Sequence, residues 1–385
     1  MNKLINNIEA VMTAGSDSPF LSLRSFLSMV SSVYGGGVKL RQHVYNKGIL
    51  QPKRLPCMVI SVGNLTLGGT GKTPMTVLVA KHLRRLAYQV VVISRGYKGR
   101  AEKTGGIVSD GRSVFMRPEI AGDEPYLMAA KLKNIPVVVG RDRFKAGMLA
   151  VRKFNPDVVV LDDAFQHLKL VRDIDLVLLD YRRPFGNMHL LPRGILREPI
   201  SALMRGDAFI LTRSDAAGDS ETAIALNKLK HYLRGKPIFK AFHIPSIQMV
   251  VQGAAVNTGR KSEAASVLGT EFLQGRRVFA FSGLAGNHDF HRTVAGLKCV
   301  VAGSLEFSDH HPYADVDLEH IVRSAMAAKA DCLVTTEKDY VRIAHRITWP
   351  MDLVVLGLDS AFGDDSEAFN AFIQNRTAEL IKRSS

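Results

Sequence analysis

Residues 58–73, Met-Val-Ile-Ser-Val-Gly-Asn-Leu-Thr-Leu-Gly-Gly-Thr-Gly-Lys-Thr, run an apolar strand into a glycine-rich turn ending Gly71-Lys72-Thr73. This segment constrains the fold most, because strand, glycine turn and lysine together make one β–α unit of a parallel sheet. Successive glycines let backbone N–H groups point into one concavity, which suits a phosphate anion. Gly68, Gly69, Thr70, Gly71, Lys72 and Thr73 are therefore expected to cradle the phosphates of a nucleotide. Lys72 would reach the β- and γ-phosphates, and the Thr73 hydroxyl would take a place on Mg²⁺. One position departs from the full G-x-x-x-x-G-K-[ST] spacing: Thr66 stands where the first glycine belongs. An ordinary glycine-rich β–α turn reads similarly, but the preceding strand and the paired Gly68-Gly69 favour phosphate.

A second element supports that reading. Residues 156–163, Pro-Asp-Val-Val-Val-Leu-Asp-Asp, have the β-branched bias of a fully buried parallel strand. Carboxylates at its C-terminal end fall at the mouth of the sheet, where Asp162 or Asp163 would hold Mg²⁺ beside the phosphate loop. Taken alone, Asp-Asp after a strand also fits a turn or helix cap. Further apolar strands are expected at 89–94, 136–139, 174–179, 207–212 and 237–242, alternating with helical stretches. That rhythm predicts an α/β protein with a doubly wound parallel sheet of the P-loop NTPase type. A second, smaller α/β domain follows, with strands near 277–282, 298–302, 331–335 and 353–357. The expected divisions are an N-terminal segment 1–50, a phosphate-loop domain 51–252, a Gly/Ala/Ser/Thr-rich connection 253–276, the second domain 277–360 and a C-terminal helix and tail 361–385.

The whole chain of 385 residues carries 51 Lys+Arg against 36 Asp+Glu, a net +15 that calls for an anionic partner. Charge alone leaves nucleic acid, an acidic membrane surface and a phosphorylated substrate open. Aromatic residues do not interleave with the basic ones as on a base-stacking platform, which argues against nucleic acid. Cys57, Cys299 and Cys332 are far apart and form neither metal spacing nor a disulfide framework, so a reducing compartment is expected. Residues 1–17 hold Glu9 and Asp17 and no continuous apolar run, so no secretory signal is expected. No apolar run reaches the ~18 residues of a spanning helix.

Residues 20–34 read as an N-terminal amphipathic helix. Leu23, Phe26, Leu27, Val30, Val33 and Tyr34 recur at helical spacing, and Ser22, Arg24, Ser25, Ser28, Ser31 and Ser32 fill the other face. Ser18-Pro19 suits its start, and Gly35-Gly36-Gly37 is expected to stop it. Such a helix packs on the domain or lies in a bilayer surface, the latter helped by Lys39, Arg41, Lys47, Lys53 and Arg54.

Other constellations carry chemistry. Gly122-Asp123-Glu124-Pro125 places two carboxylates at a helix start. Ser308-Asp309-His310-His311-Pro312-Tyr313 sets two histidines in a loop, with His288 and His291 nearby, but no zinc spacing links them. A histidine shaping a proton-transfer site fits better. Arginines crowd residues 182–213, where a subset would clamp phosphates.

Taken in order, Gly63-Asn64-Leu65-Thr66 through Lys72-Thr73-Pro74, Ser94-Arg95-Gly96-Tyr97, Gly122-Asp123-Glu124-Pro125, and Leu161-Asp162-Asp163-Ala164-Phe165-Gln166-His167 resemble the tetraacyldisaccharide 4′-kinase family. Leu191-Pro192-Arg193-Gly194 through Glu198-Pro199, Asp309-His310-His311-Pro312-Tyr313 and Thr336-Glu337-Lys338-Asp339 complete the resemblance, over roughly 34–213 and 276–358. It implies transfer of the ATP γ-phosphate to the 4′-hydroxyl of a tetraacylated disaccharide 1-phosphate, with Mg²⁺. It also implies a peripheral enzyme on the cytoplasmic face of a Gram-negative inner membrane, with no nucleic-acid partner. Residue by residue, it puts the catalytic aspartate on Asp123 and its histidine partner on His310, alongside Lys72. Metal and nucleotide carboxylates fall on Asp162 and Asp163, and substrate-side residues on Asn64, Tyr97, Gln166, His167, Arg197 and Glu198. Departures from the family pattern lie at Asn287-His288, at Tyr340 and across 214–270.

The competing reading is a membrane-associated regulatory ATPase or GTPase. The signature lysine of the deviant Walker ATPases would sit at position 67, which is Leu67, and Thr212-Arg213-Ser214-Asp215 only imitates a guanine-reading Asn-Lys-x-Asp.

Overall fold

A computed structural model describes residue 12 and residues 21–214, 230–233, 235–254, 269–284, 286–344 and 346–384. The chain forms two compact units, Met1–His243 with Ser360–Ser385, and Ile244–Asp359.

The first unit is built on an eight-stranded sheet in the order β3-β4-β2-β5-β1-β6-β7-β8. Its strands are β1 (Met58–Asn64), β2 (Val90–Ser94), β3 (Gly106–Ser109), β4 (Val137–Val139), β5 (Val158–Asp162), β6 (Ile174–Asp180), β7 (Ala208–Thr212) and β8 (Ile238–Lys240). β1 pairs in parallel with β5 and β6 on its two sides, in register Val62↔Asp162 and Asn64↔Leu178. Only the edge strand β3 runs antiparallel, against β4. The doubly wound parallel sheet expected from the sequence is therefore present. Its central strands are continuous Val/Ile/Leu runs because both faces are covered. Met58, Ile60 and Val62 of β1 pack with Met75, Val79 and Leu83 of the helix Lys72–Arg85, while Val59 faces Ala146 and Ala150 of the helix Arg143–Phe154.

The C-terminal helix Ser366–Ser384 joins this unit, with Phe369 and Ile373 fully buried in the same core as β1. The Phe369 ring lies 4.0 Å from Phe362 and 5.3 Å from Phe239.

The second unit has a five-stranded sheet, β11-β10-β12-β13-β9, from β9 (Phe242–Val251), β10 (Arg277–Ser282), β11 (Val300–Glu306), β12 (Cys332–Thr336) and β13 (Asp352–Ala361). β10, β11, β12 and β13 run parallel. Its core joins Phe281, Tyr313, Ile321, Leu333 and Trp349.

The expected division at 252/253 differs from the observed one because β9 was not anticipated. Pro245 interrupts its apolar pattern, and an edge strand tolerates proline where a central one does not. Most of the expected connection, 255–268, lies outside the described residues, as do Ser18-Pro19.

Gly35-Gly36-Gly37 does not end the N-terminal helix, which runs Leu21–Asn46. Three glycines cost a helix about 1 kcal/mol each, and tertiary bonds offset this. Ser31 Oγ donates to Leu190 O at 2.8 Å, Tyr34 Oη to Arg197 O at 2.7 Å and Arg41 Nη2 to Gln166 O at 2.8 Å. Gly35 belongs to this contact: a Cβ there would meet Leu190 Cδ1 at 2.8 Å. The buried face also differs from the expected one. Ser31 is 7 % exposed, whereas Phe26, Met29, Val33 and Leu40 stand outward, Val33 at 74 % and Leu40 at 64 %. Leu27, 4 % exposed, and Ser31 dock the helix, while Phe26, Met29, Val33 and Leu40 face solvent. Among the described residues no helix is long and apolar enough to cross a membrane.

Candidate active site

β1 ends at Asn64, and the chain stays extended where a typical phosphate loop would already have turned. Arg197 N donates to Leu65 O at 2.8 Å and Leu67 N to Ile195 O at 2.7 Å, with Thr66 opposite Leu196 in a short antiparallel bridge. This pairing explains Thr66: the position is strand, so a turn glycine has no use there. It also draws Arg197 to the phosphate loop.

The turn itself is Gly68 to Gly71. Gly68 and Gly71 have φ of 109° and 78°, a region that L side chains rarely adopt. Gly71 is the N-cap of the helix Lys72–Arg85 and supplies no capping side chain, so the first-turn N–H groups point toward whatever anion sits there. Three partners brace the loop. Asn64 Nδ2 donates to Thr70 Oγ1 at 2.9 Å, Arg213 Nη2 donates to Gly69 O at 2.8 Å, and the His243 ring abuts Gly71. Arg213 is itself held by Asp180. Arg213, read from sequence as an imitation of a base-reading motif, thus braces the loop; Asp215 lies outside the described residues.

The carboxylates stand where the parallel register predicts, at the end of β5 beside β1. Lys72 Nζ lies 3.8 Å from Asp163 Oδ1, and Arg197 Nη1 bonds Asp163 Oδ1 and Oδ2 at 2.8 and 3.0 Å. These two cations hold the Asp163 carboxyl below its ordinary range in spite of its burial. Asp162 behaves oppositely. Burial first, then the charges of Glu124 and Asp163, push its pKa up to about 6. Its oxygens accept from Thr76 Oγ1 at 3.2 Å and Ser94 Oγ at 3.0 Å. Burial also lowers the Lys72 pKa, against the pull of Asp163.

Asp123 opens the helix Asp123–Lys131 behind Gly122, whose φ is 89°. A Cβ on Gly122 would lie 2.8 Å from Tyr97 O, so the Ser94–Gly99 loop and the Asp123 turn pack backbone against backbone. That explains why the Arg-Gly-Tyr and Gly-Asp-Glu-Pro stretches occur together.

The structure brings together Lys72, Thr73, Asn64, Asp162, Asp163, Gln166 and Arg197. Gln166 Nε2 donates to Asn64 O at 2.9 Å and its Oε1 accepts from Arg197 Nη1 at 3.4 Å. Two expected substrate residues have protein partners. Asn64 is fully buried and turned to Thr70, and Glu198, 3 % exposed, pairs with Arg205 at 2.5 Å. Tyr97 is exposed, with the Arg95 guanidinium 5.7 Å from its ring centre. His167 has its pKa lowered to about 4, by burial first and then by Arg143 and Arg172.

His310 belongs to the second unit. Its Nδ1 stands 2.6 Å from Arg342 Nη2, while His311 Nε2 bonds Asp317 Oδ2 at 2.9 Å and its ring stacks on Phe307 at 4.8 Å.

Two contributors escaped the sequence reading. Glu124 acts electrostatically on both Lys72 and Asp162. Arg143 is 3 % exposed and donates to Gly140 O at 2.9 Å and to Asp162 O at 3.2 Å. Its signal was available: an arginine in line with Ala146 and Ala150 on a helix's buried stripe is out of place unless something holds it.

Among the described residues no three His, Cys, Asp or Glu side chains converge on a metal cage. Mg²⁺ at a nucleotide site needs only one or two carboxylates plus phosphate oxygens. Asp162 and Asp163, adjacent at the end of β5 and beside Lys72, supply that number.

The chain is similar to known proteins over nearly its whole length. Residues 23–378 match the model of the family described as tetraacyldisaccharide-1-P 4′-kinase, LpxK. A tetraacyldisaccharide 4′-kinase of Desulfatibacillum aliphaticivorans is 39% identical over 98% of this chain and 99% of its own length. One from Syntrophus aciditrophicus is 42% identical over 88% of this chain and 87% of its own. A crystal structure of LpxK from Aquifex aeolicus in complex with ATP is 32% identical, covers 92% of this chain and 99% of its own, and superposes with a TM-score of 0.72.

Proposed function

This chain belongs to the tetraacyldisaccharide 4′-kinase family, and from that premise we propose how its residues carry out the reaction. The protein transfers the γ-phosphate of ATP to the 4′-hydroxyl of a tetraacyldisaccharide 1-phosphate. The observation that carries the mechanism is the phosphate loop at the end of β1, whose Lys72 lies 3.8 Å from Asp163 at the end of the neighbouring β5. ATP lies with its phosphates on the Gly68–Thr73 N–H groups and Lys72. The sugar 4′-oxygen attacks the γ-phosphorus, the bond from γ-phosphorus to the β,γ-bridging oxygen breaks, and ADP leaves with that electron pair. Asp123 takes the proton of the attacking hydroxyl. Thr73, Asp162 and Asp163 are the residues to hold Mg²⁺, which neutralises phosphate charge when bound. Lys72 and Arg197, already paired with Asp163, are near enough to the loop to share that task. His310 is assigned as the partner of Asp123 by family resemblance. The commitment of His311 to Asp317 and Phe307 supports His310 over its neighbour.

The substrate is a lipid, and the outward stripe of Phe26, Met29, Val33 and Leu40 supports a peripheral seat on a membrane. Lys39 and Lys47 beside it favour an anionic surface. Use of ATP supports the cytoplasmic face of the inner membrane. Incubation with γ-labelled ATP, Mg²⁺ and detergent-dispersed tetraacyldisaccharide 1-phosphate should move label to the 4′-position of the lipid. ATP hydrolysis stimulated by vesicles, with no labelled lipid, would favour the regulatory ATPase.

A further inference from the structure

The geometry points to Arg342 as the residue that fixes the His310 tautomer, and to Asp339 as the group that holds the loop on which Arg342 acts. Both are positioning residues. The inference deepens the proposed pairing of His310 with a catalytic carboxylate and, in its functional part, rests on that reading.

A guanidinium offers only N–H donors and has no acceptor. Arg342 Nη2 stands 2.6 Å from His310 Nδ1. Two N–H donors facing each other make no bond, so Nδ1 carries the lone pair and the ring proton sits on Nε2. His310 then presents an N–H donor from its far edge, where Asp309 Oδ2 lies 3.9 Å from Nε2. An N–H donor can steady a carboxylate but cannot take a proton, so in the pairing proposed above His310 orients and is not itself a base.

The same short helix, Glu337–Ile343, supplies the second device. Asp339 is fully buried. Its Oδ1 accepts from Gly283 N at 3.1 Å and from Tyr313 Oη at 2.9 Å, and its Oδ2 accepts from Thr336 Oγ1 at 2.7 Å. Gly283 O in turn accepts from His310 N at 3.2 Å. One carboxylate therefore ties the end of β10, the end of β12 and the histidine loop together. The loop needs such a tie, because His310 and Tyr313 both hold positive φ, 62° and 46°, at a conformational cost. Arg342 sits one helical turn beyond Asp339 and also donates to His311 O at 3.4 Å. The Thr-Glu-Lys-Asp stretch that the reaction otherwise leaves unused thus builds the seat of His310.

The test uses the full-length chain with ¹⁵N-labelled histidine. The parent should show a pyridine-type Nδ1 and a pyrrole-type Nε2 at His310. Arg342→Met should mix the tautomers and lower kcat about 10–100-fold, as loss of the partner that orients a metal-ligating histidine does, with KM for ATP unchanged. Arg342→Lys keeps a cationic donor and should restore the ring pattern and most of the rate. Asp339→Asn reports the tie separately: it should lower the melting temperature and broaden the His310 signal, and an unchanged signal would remove Asp339 from the assignment. A pyrrole-type Nδ1 in the parent, or an unaltered ring pattern in Arg342→Met, would overturn the role of Arg342. The expected spectra together with full activity of His310→Ala would instead sink the catalytic pairing while leaving the tautomer assignment intact.

Discussion

The two units set their functional loops at strand ends of parallel sheets, yet they build those loops by opposite means. In the first, the cradle is backbone: Gly68 and Gly71 at positive φ, and uncapped N–H groups at the start of Lys72–Arg85. In the second, the loop is held by side chains, with buried Asp339 and Tyr313 beneath it and Arg342 against His310. A backbone cradle suits an anion such as phosphate, which takes many equivalent donors. A side-chain seat suits a single ring that must be held in one orientation. Substitutions in the glycine cradle should therefore act through nucleotide binding, and those in the histidine loop through the rate after binding.

The largest effect is expected where that contrast meets the chemistry. Asp123→Asn should lose on the order of 10²–10⁴ in turnover, the worth of a positioned base, while still binding ATP. Adding His310→Ala should then cost little more, because residues acting as a unit are non-additive. Turnover of both single variants and the double checks this, and full multiplication of the two losses would separate the units functionally.

A smaller effect belongs to the first unit's N-terminal helix. Val33→Ser with Leu40→Ser removes two outward apolar side chains worth about 1–2 kcal/mol each on burial. Apparent KM for bilayer-embedded substrate should rise several-fold or more, with turnover on detergent-dispersed substrate and the melting temperature unchanged. Co-sedimentation with anionic vesicles as strong as the parent's would leave the stripe without a membrane role.

The smallest effect concerns pH. The His167 pKa falls from 6.5 to about 4 in the folded chain. Between those values the unfolded chain binds a proton that the native chain refuses, so stability drops as pH falls through that window. His167→Gln should flatten the loss by about 1–2 kcal/mol, discounted for the ring's partial exposure. Melting temperatures at a series of pH values from 6.5 down to 4 would show it, and parallel curves for parent and variant would contradict it.

How far the sequence led depended on which physics built each part. The phosphate loop and the Asp162-Asp163 pair were legible because glycine spacing and buried apolar strands are local signals. Thr66 read as a defect until its pairing with Leu196 appeared, and that pairing is long-range. The glycine triplet was read as a stop because propensity is local, whereas the bonds from Ser31, Tyr34 and Arg41 to distant carbonyls decide that the helix continues. β9 was hidden by Pro245, which only an edge position allows. In the histidine loop, composition flagged His310 and His311 equally, and only their partners, Arg342 and Asp317, tell them apart.

The contrast between the units is tested most directly by equilibrium ATP binding to Lys72→Ala and His310→Ala, measured side by side on folded protein in the presence of Mg²⁺. Lys72→Ala should weaken ATP binding by tenfold or more, since a cation within reach of the phosphates is lost, and His310→Ala should bind ATP as the parent does while its single-turnover rate falls. Parent-like ATP affinity in Lys72→Ala, or loss of ATP binding in His310→Ala, would contradict the account.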